Sequence, residues 1–263
     1  MRILILGARG TVGGLLAQEL GKKYSITAIT RDQIDLLDSY AVNKFFNTNA
    51  FDVVLDCAIN PNSRLDAPQQ VSSDNLVLFA NLYANRHQFG RVIHFCSGAE
   101  FDASKPITCA REEELFWHRP QDPYGSSKNS TARISYSSEN FYNLRLFGVF
   151  YPTELPRRLL PRLLSNRVTM IHDKYFDYLY LEDLLPVVEY YIHTATPTYK
   201  DINVVYQEKQ LLSEFVREFV KIKDLDVKIP IDPVMGYDYT GNGDRFRELD
   251  LPRLGIKTGM MRY

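Results

Sequence analysis

The first apolar run of the chain, Arg2-Ile3-Leu4-Ile5-Leu6, ends in Gly7-Ala8-Arg9-Gly10-Thr11-Val12-Gly13 and leads at once into a helical pattern. A strand that turns into a helix through glycines aims unpaired backbone N–H groups from the positive end of the helix dipole, a geometry that binds pyrophosphate. Gly7 permits the tight turn, Gly10 lets a ligand approach the backbone, and Gly13 lets the helix pack on the strand. The spacing is G-x-x-G-x-x-G, one residue longer at the front than the common dinucleotide fingerprint. Strand and helix patterns then alternate through residue 150, with strands expected at 25–30, 53–57, 91–96 and 142–146 and helices at 12–22, 39–47, 72–86 and 125–138. The strands are short, apolar and weakly alternating, as suits burial on both faces of a parallel sheet. Right-handed crossovers then give an α/β fold, a doubly wound parallel sheet of the Rossmann kind.

Beyond Tyr151-Pro152 the pattern loses regularity, broken by prolines at 156, 161, 186, 197, 230, 233 and 252. The expected organisation is a dinucleotide-binding domain over 1–150, with 178–205 returning to it, and a small interleaved substrate lobe from 151–177 and 206–263. A net charge of −1 gives no basic excess to recruit nucleic acid or anionic lipid. Cys57, Cys96 and Cys109 are too few and too scattered for a disulfide framework or a four-ligand zinc site, which points to a reduced, cytoplasmic protein. No segment approaches the roughly 20 apolar residues of a membrane span, and glycine stops the N-terminal apolar run too early for a signal peptide.

Cofactor choice is set where the second strand ends. An acidic residue there binds the ribose 2′-hydroxyl of NAD, whereas arginine accommodates the 2′-phosphate of NADP. Thr30 is followed by Arg31, and Arg9 reaches the same place from the glycine loop. Two guanidiniums around one phosphate favour NADP, although Asp32 stands one residue further on. Asp35 and Leu36 are then expected to border the adenine.

Chemistry enters with Ser97, Tyr124 and Lys128. Tyr124 and Lys128 are four residues apart and so share a helix face. An ammonium beside a phenol favours its ionised form, which suits Tyr124 for exchanging a proton with a carbonyl oxygen. Ser97 follows a strand's carboxyl end, where doubly wound sheets place their ligands. Its hydroxyl can hydrogen-bond the same oxygen as charge develops there. A second Tyr-x-x-x-Lys pair, Tyr40 and Lys44, lies on an outer helix with no serine-capped strand before it, and is read as a coincidence.

In these residues the chain resembles the extended short-chain dehydrogenase/reductase family of nucleotide-sugar epimerases, dehydratases and reductases. The matching segments, in order, are GARGTVGGLL at 7–16, the strand ending Cys57-Ala58, Asn75 in the next helix, FCSGAEFD at 95–102, PYGSSK at 123–128, LRLFGVFYP at 144–152 and YLYLEDLL at 178–185. RDQIDLLDSYAVNKFF at 31–46 looks like the GDP-L-fucose synthase branch. The resemblance implies Ser97, Tyr124 and Lys128 as catalytic, with Lys128 also holding the nicotinamide ribose. It implies cofactor contacts at Gly7, Arg9, Gly10, Thr11, Val12, Gly13, Arg31, Cys57, Ala58 and Asn75, and a homodimer.

Two departures narrow the reaction. Dehydratases of this family carry Asp-Glu directly after the catalytic serine or threonine, where this chain has Gly98-Ala99. GDP-fucose synthases use a cysteine at the position of Ala99 and a histidine that best matches Arg158. Hydride transfer alone remains. The expectation is an NADPH-dependent reductase of a nucleotide-activated 4-keto-6-deoxy sugar. The alternatives are a 4-epimerase with retained NAD and a non-enzymatic NADP-binding sensor. Gly98, Arg158 and His172 are the substrate-side candidates, with Arg157, Arg162, Arg245 and Arg247 as further guanidiniums. His94 is expected to be a satisfied core histidine, His118 a loop residue and Glu100 structural. The aromatic run Tyr175, Phe176, Tyr178 and Tyr180 is expected in the core of the lobe.

Overall fold

The computed structural model describes residues 1–60 and 69–263. The chain divides into two compact units. The first takes Met1–Ser104, Glu113–Arg145 and Val188–Ile202, and the second Lys105–Glu112, Leu146–Val187 and Asn203–Tyr263. In chain order the first half supplies β1 (Arg2–Leu6), α1 (Thr11–Leu20), β2 (Ser25–Ile29), α2 (Ser39–Thr48), β3 (Phe51–Asp56), α3 (Gln69–Ala84), β4 (Phe89–Ser97), β5 (Ile107–Ala110), α4 (Pro123–Tyr136) and β6 (Phe141–Leu146). There follow β7 (Gly148–Phe150), α5 (Leu159–Leu164), β8 (Ile171–His172), β9 (Tyr178–Tyr180), α6 (Leu184–His193) and β10 (Asp201–Asn203). The chain closes with α7 (Leu212–Ile222), β11 (Ile231–Asp232), β12 (Tyr239–Gly241), α8 (Asp244–Glu248) and α9 (Gly255–Arg262).

A six-stranded parallel sheet in the order β10-β6-β4-β3-β1-β2 organises the first unit. The doubly wound sheet expected from the alternation is therefore present. Its central strands bury nearly every side chain, as in Ile3, Leu4, Ile5, Val54, Leu55, Val92 and Ile93. Each such side chain removed from water is worth about 1.5–3 kcal/mol. One face of the sheet packs Leu4, Leu6, Val54 and Val92 with Val42, Phe46, Phe79, Leu82 and Phe141. The chain winds outward from β1 to β2 and then crosses to β3 on the other side of β1, so the strand order reverses between β1 and β3. Open α/β sheets bind ligands beyond the strand ends at such a reversal.

Capping fixes where the helices begin. Asp38 accepts from the N–H groups of Tyr40 (2.9 Å) and Ala41 (3.1 Å) at the start of α2. Asp122 accepts from Gly125 N at 2.7 Å at the start of α4, with Pro123 in the first turn. Both supply an acceptor for N–H groups that have none within the helix. The second unit is built from pairs of short strands, β7 with β9, β8 with β11 and β5 with β12. Its core joins Phe150, Leu160, Leu163, Ile171, Tyr180, Phe215, Val216, Phe219 and Met260. Tyr178 stacks on Phe215 with ring centroids 4.3 Å apart and Phe176 on Tyr239 at 5.4 Å, so these aromatics do lie in the core, while Tyr175 is exposed.

Several boundaries differ from expectation. β2 ends at Ile29 because Thr30 turns away, its N and Oγ1 both bonded to Gln33 Oε1. α3 begins at Gln69 rather than Ser72. The first unit ends at Arg145 rather than at 150, because Gly148–Phe150 pairs with Tyr178–Tyr180 inside the second unit. Only Val188–Ile202 returns to the first unit.

Candidate active site

The glycine loop closes the carboxyl end of β1. Gly7 has φ +75°, a region that side chains avoid, and a Cβ there would lie 2.6 Å from the Cys57 carbonyl oxygen. β1 and β3 can come this close only through glycine. A Cβ on Gly13 would lie 2.5 Å from Gly7 O, so α1 starts directly against the loop. Gly10 caps α1 and donates to Gly7 O at 2.9 Å, and Thr11 and Val12 form the first turn. The result is a concave backbone cradle at the N-terminus of a helix, bordered by Cys57 and Ala58.

One strand end and one helix start bring the catalytic candidates to the same edge of the sheet. Ser97 is the last residue of β4 and is buried. Its Oγ accepts from Ala99 N at 3.3 Å, which leaves its own hydrogen to give. Tyr124 lies in the first turn of α4, 7% exposed, and Lys128 follows one turn later. Lys128 Nζ donates to Phe95 O at 2.9 Å, which anchors it beside β4 two residues before Ser97. The start of α4 presses on the turn after Ser97, since a Cβ on Gly125 would meet Ala99 O at 2.7 Å. Lys128 also acts on Cys57: burial and Asp56 push the Cys57 thiol well up, and Lys128 pulls it the other way. The lysine thus stands near the strand end that borders the glycine cradle. Tyr40 of the other Tyr-x-x-x-Lys pair is 75% exposed on α2.

Glu100 proves to be part of the support for Ser97. Its Oε1 accepts from Ser97 N at 2.9 Å, closing a capping box over the single turn Gly98–Phe101. Its Oε2 accepts from Arg145 Nε at 2.8 Å, and Arg145 in turn donates to Asp201 Oδ2 at 3.0 Å. Glu100 and Arg145 are fully buried. Burial alone would push the Arg145 guanidinium down, but Asp201 and Glu100 outweigh it and raise it above its ordinary value. This network escaped the sequence reading because its members lie 45 and 56 positions apart. The only local signal was a serine followed three residues later by glutamate.

At the end of β2, Arg9 pairs with Asp32 and Arg31 reaches Asp35 at 3.8 Å, all four side chains exposed. Leu36 packs against the sheet core, and its carbonyl accepts from Asn81 at 2.8 Å. Asn75 accepts from Asn60 N at 2.8 Å, while its buried Nδ2 has no partner among the described residues. A cradle that a Cβ would fill, the guanidiniums of Arg9 in the loop and Arg31 after β2, and a buried amide donor without a partner among the described residues all fit a nicotinamide dinucleotide.

The substrate-side candidates fall in different units of the chain. Gly98 is buried in the turn after Ser97. Arg158, in the second unit, caps α5 and is already engaged by Glu154 (3.1 Å) and Val149 O (2.6 Å). His172 is exposed on β8 with Nδ1 2.7 Å from Asp232. Arg245 and Arg247 face Glu112 and Asp244, and His118 faces Glu114.

The description of the NAD dependent epimerase/dehydratase family matches residues 3–204. The chain belongs to this family. Its members are NAD(P)-dependent oxidoreductases and epimerases, so this chain is an enzyme of that kind. No curated protein sequence matches it. Among solved structures it is similar to a GDP-D-glycero-L-gluco-heptose synthase from Campylobacter jejuni determined with NADPH, at 17% identity and a TM-score of 0.83, covering 99% of this chain and 96% of the other. A GDP-mannoheptose C4 reductase from Campylobacter jejuni with NADP bound gives 19% identity and 0.82, with the same coverage. A GDP-L-fucose synthetase from Naegleria fowleri bound to NADP gives 15% and 0.81, covering 99% and 92%. At these identities the likeness establishes the epimerase/dehydratase fold over nearly the whole chain.

Proposed function

We propose that the chain is an NADPH-dependent reductase of a nucleotide-activated 4-keto-6-deoxy sugar. The carrying observation is that Ser97, Tyr124 and Lys128 are buried at one sheet edge beside residues 98 and 99 that cannot move a proton. The bound nicotinamide supplies the hydride. Tyr124 gives its proton to the ketone oxygen, and the free hydrogen of Ser97 Oγ holds that oxygen as charge grows on it. Lys128, fixed on Phe95 O, orients the ribose and sits one turn from the phenol. Arg9 and Arg31 exchange their carboxylate partners for the 2′-phosphate. Asp35 and Leu36 border the adenine, and Asn75 supplies its spare donor. Gly98, Arg158 and His172 remain the proposed substrate contacts. The NADPH or NADP bound in similar structures agrees with this choice. A homodimer is part of the reading, supported by Leu76 and Val77 on α3 and Ile134 and Tyr136 on α4, all exposed. Among the described residues no helix is long and apolar enough to cross a membrane, and the three cysteines are free, which supports the cytoplasm as location.

Tyr124→Phe tests the assignment. Turnover of ketosugar nucleotides should fall by about 10²–10⁴ while NADPH binding stays near wild type. In a thermal-shift comparison NADP should raise the melting temperature more than NAD. Full activity in the variant defeats the role of Tyr124. Tightly retained NAD in the purified protein points to a 4-epimerase instead.

A further inference from the structure

His94 is more than a satisfied core histidine. It stands in register with Asp56 across β3 and β4, and its Nδ1 lies 2.7 Å from Asp56 Oδ2. Both are buried, at 3% and 5% exposure. Because a carboxylate only accepts, Nδ1 donates to it. On the far side of the ring, Nε2 lies 3.3 Å from Thr131 Oγ1, and that hydroxyl, with one hydrogen to share between its two neighbours, lies 3.1 Å from the carbonyl oxygen of Lys128. Phe79 covers the imidazole with ring centroids 4.9 Å apart. The next residue of β4, Phe95, accepts from Lys128 Nζ. Adjacent positions of one strand therefore reach both ends of Lys128: His94 touches Thr131 on the turn that carries it, and Phe95 O takes its ammonium directly. His94, Asp56, Thr131 and Lys128 also line one small cavity.

Stability alone does not call for this chain of groups. A buried polar pair replaced by apolar side chains of like volume is often neutral or stabilising, so its presence beneath the lysine invites another account. We propose that His94, oriented by Asp56, is a positioning residue for Lys128. It acts through Thr131 on the helical turn that carries the lysine. The inference rests on the proposed role of Lys128 at the nicotinamide ribose.

The test is a mutant cycle read by fluorescence titration with NADPH, or with NADH if the wild-type chain prefers it. His94→Gln and Thr131→Val should each weaken cofactor binding about tenfold, within the range for directly bonded neighbours. The two together should be no worse than either alone. In a Lys128→Met background neither change should weaken binding further. Thr131→Val keeps the side-chain shape, so it decides the matter if His94→Gln fails to fold. Unchanged affinity in folded single variants overturns the proposal, and so does an equal loss in the Lys128→Met background, which would mark a general structural role. The cycle reads cofactor affinity alone. A wild-type chain that binds cofactor but reduces no ketosugar therefore removes the functional reading and still leaves this one decided.

Discussion

Gly13 and Gly14 are neighbours on α1, yet a side chain at each meets a different surrounding. A Cβ on Gly14 would touch Ala8 O at 3.4 Å, an ordinary contact, whereas one on Gly13 would lie 2.5 Å from Gly7 O. Alanine gains about 1 kcal/mol over glycine inside a helix, while overpacking costs about 1–3 kcal/mol. At Gly13 the obstructing atom is backbone, which cannot swing aside, so the cost wins. Gly13→Ala should lower the melting temperature and weaken dinucleotide binding, and Gly14→Ala should leave both unchanged or raise the melting temperature slightly. Equal behaviour of the two in thermal unfolding would contradict the close approach of α1 to the loop. The glycine spacing was legible in the sequence because each glycine answers a local backbone demand. The helix start that carries Tyr124 was legible, since Pro123 precedes it, while the proton-donor role of Tyr124 is a proposal. His94 and Glu100 were not, because their partners come from other strands and no local pattern names them.

The elements around Ser97 are joined by charge as well as by apolar packing. Glu100 from the turn after β4, Arg145 from β6 and Asp201 from β10 carry two negative charges and one positive charge, all buried. Removing the guanidinium leaves two buried carboxylates uncompensated, and breaking a buried pair this way costs about 3–5 kcal/mol. Glu100→Gln leaves Arg145 paired with Asp201 and should cost less. Chemical denaturation at neutral pH should rank Arg145→Met well below Glu100→Gln in stability, with the gap narrowing in acid as the stranded carboxylates take up protons. A reversed ranking would mean that the guanidinium is not what holds the strands. The sequence displayed β4 and β6 as apolar runs and hid this link, because an arginine inside a strand carries no mark of its partner. It also misplaced element ends by a few residues wherever a side chain, such as Gln33 beneath Thr30, competes with the strand for backbone groups.

At the scale of the whole molecule, the sheet unit followed from periodicity, while the second unit did not. Its strands are two to four residues long and pair with partners far along the chain, so alternation has no room to show. That unit also carries the clearest dependence of stability on pH. Burial raises the Asp177 carboxyl from its ordinary value to about 6, against the opposing pull of Lys209 and of the Gly241 N–H. The folded state therefore binds this proton more tightly than the unfolded chain does. The stabilisation is complete below the unfolded value of 3.8 and is lost as the pH rises through about 6. The loss amounts to about 3 kcal/mol over that window. Asp177→Asn has no such proton to lose. Its stability relative to wild type should therefore climb by that order between pH 4 and pH 7 in urea unfolding, on top of a constant offset from the weaker bond to Lys209. Parallel curves for the two proteins would show that Asp177 ionises in the fold as readily as in the open chain.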